Sequence, residues 1–144
     1  MRKPVGEDAE QERAVRQVYD RMLAAQAKAY RTASTKGTGV ERYATYEALA
    51  AIRDGVDNLK DSGALVTGHV GHDVKVTKLD LDAKVPTATL TDCVDLSRYR
   101  TVKAGKEVPL PTEQPLRYVM TVSAERWDGG RWMITRIATD GPEC

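Results

Sequence analysis

The side chains best suited to moving protons in this sequence are Asp92, His72 and Tyr118, and none of them sits in a catalytic motif. Asp92 falls within the apolar stretch Ala88-Thr-Leu-Thr-Asp-Cys-Val-Asp-Leu96. Two-residue alternation sets it on one strand face with Ala88, Leu90, Val94 and Leu96. His72 falls within Val66-Thr-Gly-His-Val-Gly-His-Asp-Val-Lys-Val76, on the side of Val66, Val70, Val74 and Val76. A carboxylate and an imidazole held together away from water form an acid/base pair, with Asp92 as general base and His72 or Tyr118 as its partner. The plainer interpretation carries more weight. A buried aspartate commonly caps a turn or accepts backbone amides, and a single strand histidine is more often a satisfied core residue.

His69 and His72 invite a metal, but residues three apart on a strand face opposite ways, and no third ligand accompanies them. Neither a metal nor a cofactor is expected. There is no Gly-x-Ser-x-Gly elbow, no phosphate-cradling Gly-x-x-x-x-Gly-Lys and no Cys-x-x-Cys pair.

The two cysteines, Cys93 in the apolar stretch and Cys144 at the last position, have two readings. Bonded to each other, they tie the C-terminus to the sheet and place the protein in an oxidising compartment. Left as free thiols, they suit a cytoplasmic protein. The start, Met-Arg-Lys-Pro-Val-Gly-Glu-Asp, has no apolar run after its basic residues and so does not read as a secretory signal. The chain is then either cytoplasmic or the mature part of an exported protein.

With 22 basic and 21 acidic side chains the net charge is +1, which leaves no field to draw the protein onto nucleic acid. Charges interrupt every apolar run well short of a membrane span. Arg98, Arg100, Lys103 and Lys106, with Tyr99 among them, form either a small patch for an anion or partner or, more simply, a solvated loop followed by Glu107 and Glu113.

The elements that must position these groups are helices first and strands afterwards, an α+β order. A single domain over 1–144 is expected, with a flexible N-terminus (1–7), a helical part (8–62) and an antiparallel sheet (64–140). Val15, Val18, Tyr19, Met22, Ala25, Ala29 and Tyr30 recur at helical spacing between Asp8 and Ala33. Thr38-Gly-Val-Glu41 has the spacing of a capping box, and Thr45 is placed to cap a further helix carrying Leu49, Ile52, Val56 and Leu59 on one face up to Gly63. Tyr43 and Tyr46 are expected to brace the junction. Strands follow over Val66 to Val76, Val85 to Leu96, Leu116 to Ala124 and Trp132 to Thr139, with small hairpins at Lys103-Ala-Gly-Lys106 and Trp127-Asp-Gly-Gly-Arg131.

This layout resembles the NTF2-like (cystatin-like, SnoaL-like) cone fold over nearly the whole chain. Arg42-Tyr-Ala-Thr with Ala48-Leu49, Thr91-Asp-Cys-Val-Asp95, Trp127-Asp-Gly-Gly-Arg-Trp132 and the terminal Cys144 are similar to small exported lipoproteins and secreted proteins of actinobacteria. The resemblance implies a Cys93 to Cys144 bond, an extracytoplasmic or cell-envelope location and a pocket between the long helix and the concave sheet. Tyr19, Tyr30, His72, Asp92, Tyr118 and Trp132 would line that pocket.

The function expected is a non-enzymatic binding or assembly module, its partner an envelope protein or a small apolar ligand. The alternatives are a SnoaL or steroid-isomerase type enzyme using Asp92, His72 and Tyr118, or a subunit of an envelope transfer or secretion complex. Such domains pair through the outer sheet face, and an outward apolar run of Trp127, Val119 and Ile134 or Ile137 would support a homodimer.

Overall fold

The structure, a computed structural model, describes residues 5–139 and 141–144. Helix α1 runs Val5–Thr32, so it starts three residues before the expected Asp8. Met1 to Pro4 of the expected flexible N-terminus lie outside the described residues. Glu7 and Asp8 occupy its first turn, where acidic side chains favour the positive end of the helix dipole. Its stripe of Val15, Tyr19, Met22, Ala25 and Ala29 is buried, as the helical spacing requires.

The expected capping box does not form. Gly39, at φ 73°, takes the cap position of a short 3-10 turn, Val40–Arg42, and the Thr38 hydroxyl donates backwards to the Thr35 carbonyl at 2.6 Å. Only glycine enters that left-handed backbone without strain, so its conformation and not the Thr38 side chain sets the turn. Helix α2, Tyr46–Ser62, follows Thr45, whose side chain makes no capping bond. It buries Ala48, Ile52 and Val56 and stops at Gly63, whose N–H reaches the Leu59 and Lys60 carbonyls. Tyr43 packs against the core, whereas Tyr46 is 61% exposed and turns its ring toward Trp127, with ring centroids 6.1 Å apart. Tyr46 therefore does not brace the helical junction.

The single strand expected over Val66 to Val76 is two strands, β1 at Ala64–Val66 and β2 at Val74–Asp80. Between them the chain changes sheets. Thr67 and His69 donate to the Arg100 and Arg98 carbonyls, and Gly71 then exchanges two bonds with Asp95. A Cβ at Gly68 would lie 2.7 Å from the Arg100 nitrogen, so the crossing needs a residue without one.

The remaining strands are β3 (Thr87–Asp95), β4 (Thr101–Lys103), β5 (Lys106–Val108), β6 (Arg117–Trp127) and β7 (Arg131–Ala138). The main sheet has the order β2-β3-β6-β7 and a small one the order β1-β4-β5, with every named pair antiparallel. Both hairpins turn through positive φ, at Gly129-Gly130 and at Ala104-Gly105, where Ala104 also takes φ 52°. Register shifts between Val76 and Lys78 and between Ser123 and Ala124 interrupt the main sheet, and such bulges bend a strand.

Helices α1 and α2 lie against this sheet over a core of Tyr19, Met22, Ile52, Leu90, Val122 and Ile134. Trp132 joins that core and donates its indole N–H to Gln11 of α1 at 2.9 Å. The fold is α+β, N-terminal helices packed on antiparallel sheet, consistent with an NTF2-like cone.

Cys93 and Cys144 are bonded, with Cα atoms 6.0 Å apart. The last residues run along β6, where Val119 donates to the Pro142 carbonyl at 2.8 Å and Tyr118 bridges to Glu143. The outward apolar run expected on the sheet does not form. Ile134 is fully buried, Ile137 faces a cavity, Val119 underlies Gly141, and Trp127 is partly buried beneath the Arg131 guanidinium. Among the described residues no helix is long and apolar enough to cross a membrane.

Candidate functional site

Asp92 is 0% exposed in the middle of β3, on the face with Ala88, Leu90 and Val94 that the alternation predicts. Three donors converge on it. Its Oδ2 accepts the Tyr19 hydroxyl at 2.6 Å and lies 2.6 Å from His72 Nδ1, while its Oδ1 accepts the Asp73 backbone N–H at 3.1 Å. Helix α1 delivers Tyr19 because its buried stripe faces the sheet. His72 arrives by register. Gly71 bridges Asp95 in line with the pairing of Val74 and Asp92, so His72 stands opposite Val94 with its ring on the inner face.

The arrangement gives the two groups different tasks from those their types suggest. Asp92 accepts three bonds from the protein and has no exposed surface. A carboxylate there accepts a hydrogen bond from Nδ1–H, the tautomer that leaves Nε2 as the imidazole's available nitrogen. The His72 side chain is 25% exposed and lines a cavity of ≈ 390 Å³. Leu23, Val94, Leu96, Met120 and Ile137 supply its apolar wall, and Gln26, Tyr30, Tyr118 and Thr139 its other polar groups.

The tyrosines differ in the same way. Burial first, then the Asp92 charge and the bond to it, push the Tyr19 hydroxyl far above its ordinary range, so it stays a donor. Tyr118 faces the cavity, and burial followed by the nearby Asp92 raises it too. Burial raises Tyr30, partly offset by the Gln26 amide, which donates to its oxygen at 3.1 Å. Of the six residues expected to line a pocket, the structure places Tyr30, His72 and Tyr118 on the cavity. Asp92 and Tyr19 form a buried pair behind it, and Trp132 belongs to the core beside Gln11.

Two contributors carried weak sequence signals. Gln26 interrupts the apolar helix one turn before Tyr30. Gly55 reads only as a loss of helix propensity, but a Cβ there would lie 2.9 Å from Tyr30 Cζ and closer still to its hydroxyl. Gly55→Ala should therefore lower stability by about 1 to 3 kcal/mol through overpacking. In a Tyr30→Ala background the same change should instead stabilise by roughly 0.8 to 1.0 kcal/mol, the ordinary helix preference for alanine. Urea unfolding of the four proteins checks this reversal of sign, and a cost unchanged by removing the tyrosine ring would reject the contact.

No protein-family model matches the sequence, and no curated protein matches it. Among solved structures, the chain is similar to the crystal structure of the intermembrane space region of the chloroplast protein ARC6. The TM-score is 0.55 at 11% sequence identity, over 91% of this chain and 97% of that one. The likeness is one of fold: a small α+β domain.

Proposed function

We propose that this chain is a binding domain of NTF2-like type, working outside the cytoplasm, that holds an apolar ligand in the cavity between α1 and the main sheet. The observation that carries the reading is the saturation of Asp92. With its oxygens bound to Tyr19, His72 and Asp73, Asp92, the one buried carboxylate among the described residues, is withdrawn from a cavity whose walls are mostly apolar. The Cys93 to Cys144 bond supports the compartment, because such bonds persist where thiols are not kept reduced. The resemblance to small exported proteins of actinobacteria supports it as well.

A neutral, compact dye, N-phenyl-1-naphthylamine, tests the cavity, since its fluorescence rises on leaving water. It should bind the wild-type protein, and Leu23→Trp, which fills the space from helix α1, should abolish binding while the circular dichroism spectrum is kept. A dye signal that Leu23→Trp does not change would reject this cavity as the site.

The bond between His72 Nδ1 and Asp92 favours a second reading, a proton-transferring enzyme with His72 as base and Tyr118 beside it. Under the binding reading, bound ligands are recovered unchanged. Conversion that stops in a folded His72→Gln variant would favour the enzyme.

A further inference from the structure

A second hollow of ≈ 540 Å³ lies between the latter half of α2 and the small sheet. Gly55, Leu59, Ala64, Tyr99 and Val108 give it an apolar lining. Tyr30 lines both this groove and the cavity that holds His72, so its ring is the partition between them. Gly55 lets the ring lie close against α2.

Charge at the groove is one-sided. Among the described residues Lys103 is its only charged lining residue, and Lys106, outside the lining, is its direct cross-strand partner over the Ala104-Gly105 turn. Like charges directly opposite each other on a hairpin are unfavourable. Among the described residues neither lysine has an ion-pair partner, because the adjacent Glu107 carboxylate is held by Arg100 at 3.1 Å. A groove with this apolar stretch, with Asn58, Ser62 and Thr101 as its neutral polar groups and Lys103 in its lining beside Lys106, is complementary to a linear ligand with one anionic end.

We propose that the groove and the cavity together bind a free fatty acid. Its carboxylate lies against Lys103 and Lys106, and its chain runs over Tyr99 and Leu59 and past Tyr30 into the space walled by Leu23, Val94 and Met120. Tyr30 then sets chain-length preference, since its ring must turn aside before a long chain reaches the cavity. The assignment rests on the apolar-ligand reading of that cavity and extends it by naming the ligand class.

The test is calorimetric titration of the full chain with octanoate, decanoate, dodecanoate and tetradecanoate below their micelle concentrations. Affinity should rise roughly tenfold for each two methylenes added. The double variant Lys103→Glu/Lys106→Glu should bind tetradecanoate at least about tenfold more weakly. It should bind N-phenyl-1-naphthylamine as wild type does. Tyr30→Ala should widen the advantage of tetradecanoate over decanoate, because the long chain no longer has to displace the ring. Affinity flat across the series, or unaffected by charge reversal, overturns the proposal. Binding only to phosphatidylglycerol vesicles, with no monomeric fatty acid bound, also overturns it. If the neutral dye binds and fatty acids do not, this proposal alone fails, and if the dye fails too, the cavity reading fails with it.

Discussion

Asp92→Ala is expected to lower the unfolding free energy by about 3 kcal/mol, the largest effect of any single side-chain truncation at this site. The reason is the partner it strands. The Tyr19 hydroxyl is held in a residue with no exposure and has no other acceptor among the described residues, so it loses its bond without regaining water. His72 can turn toward solvent, and the Asp73 N–H keeps a bond to the Cys93 carbonyl at 3.2 Å. The penalty therefore concentrates on Tyr19. In a domain of this length the midpoint should fall by roughly 10 °C, at about 3 °C for each kcal/mol.

Removing both partners is the decisive control. Tyr19→Phe/Asp92→Leu should be appreciably more stable than Asp92→Ala, because no polar atom is left orphaned and the space is refilled. Thermal and urea unfolding of the parent, the two single variants and the double variant give the comparison. A loss of less than 1 kcal/mol in Asp92→Ala would show that the carboxylate does not hold helix to sheet.

Reducing the Cys93 to Cys144 bond should have an effect of similar size by a different route. The bond spans 51 residues, and a loop of that length is worth about 4 kcal/mol in the chain-entropy model. Cys144→Ser, or wild type in excess reductant, should melt roughly 8 to 12 °C lower. The local consequence is more specific. Without the covalent tie the tail can leave β6, so the Val119 amide, bonded to Pro142, should exchange with solvent much faster than the Val122 amide deeper in the sheet. A melt unchanged by reductant, or two alkylatable thiols in the native protein by intact mass, would reject the staple.

These two devices were visible in the sequence to different degrees. The strand carrying Asp92 was legible because Ala88, Leu90, Val94 and Leu96 fall on alternate positions, and that spacing sets Asp92, the one polar residue among them, on the inward face. The bonded cysteines were legible as one of two alternatives. The partners of Asp92 were not legible, since they lie 73 and 20 positions away and are joined to it by tertiary packing. Gly55 looked like a weak helix residue because helix propensity is local, whereas its use is to admit a ring from another helix.

The sequence by itself determined the order of helices and strands, the buried stripe of α1, both glycine hairpins and the inward face of β3. Each is set by periodicity or by local backbone preference, which neighbouring residues carry among themselves. Tertiary structure alone decided that Val66 to Val76 divides between two sheets, that Asp92 is bonded to Tyr19, His72 and Asp73 while His72 faces the cavity, and that Tyr30 lines two hollows. Those outcomes depend on what distant segments place beside a residue, and burial and the pairing of polar groups are properties of that assembled environment.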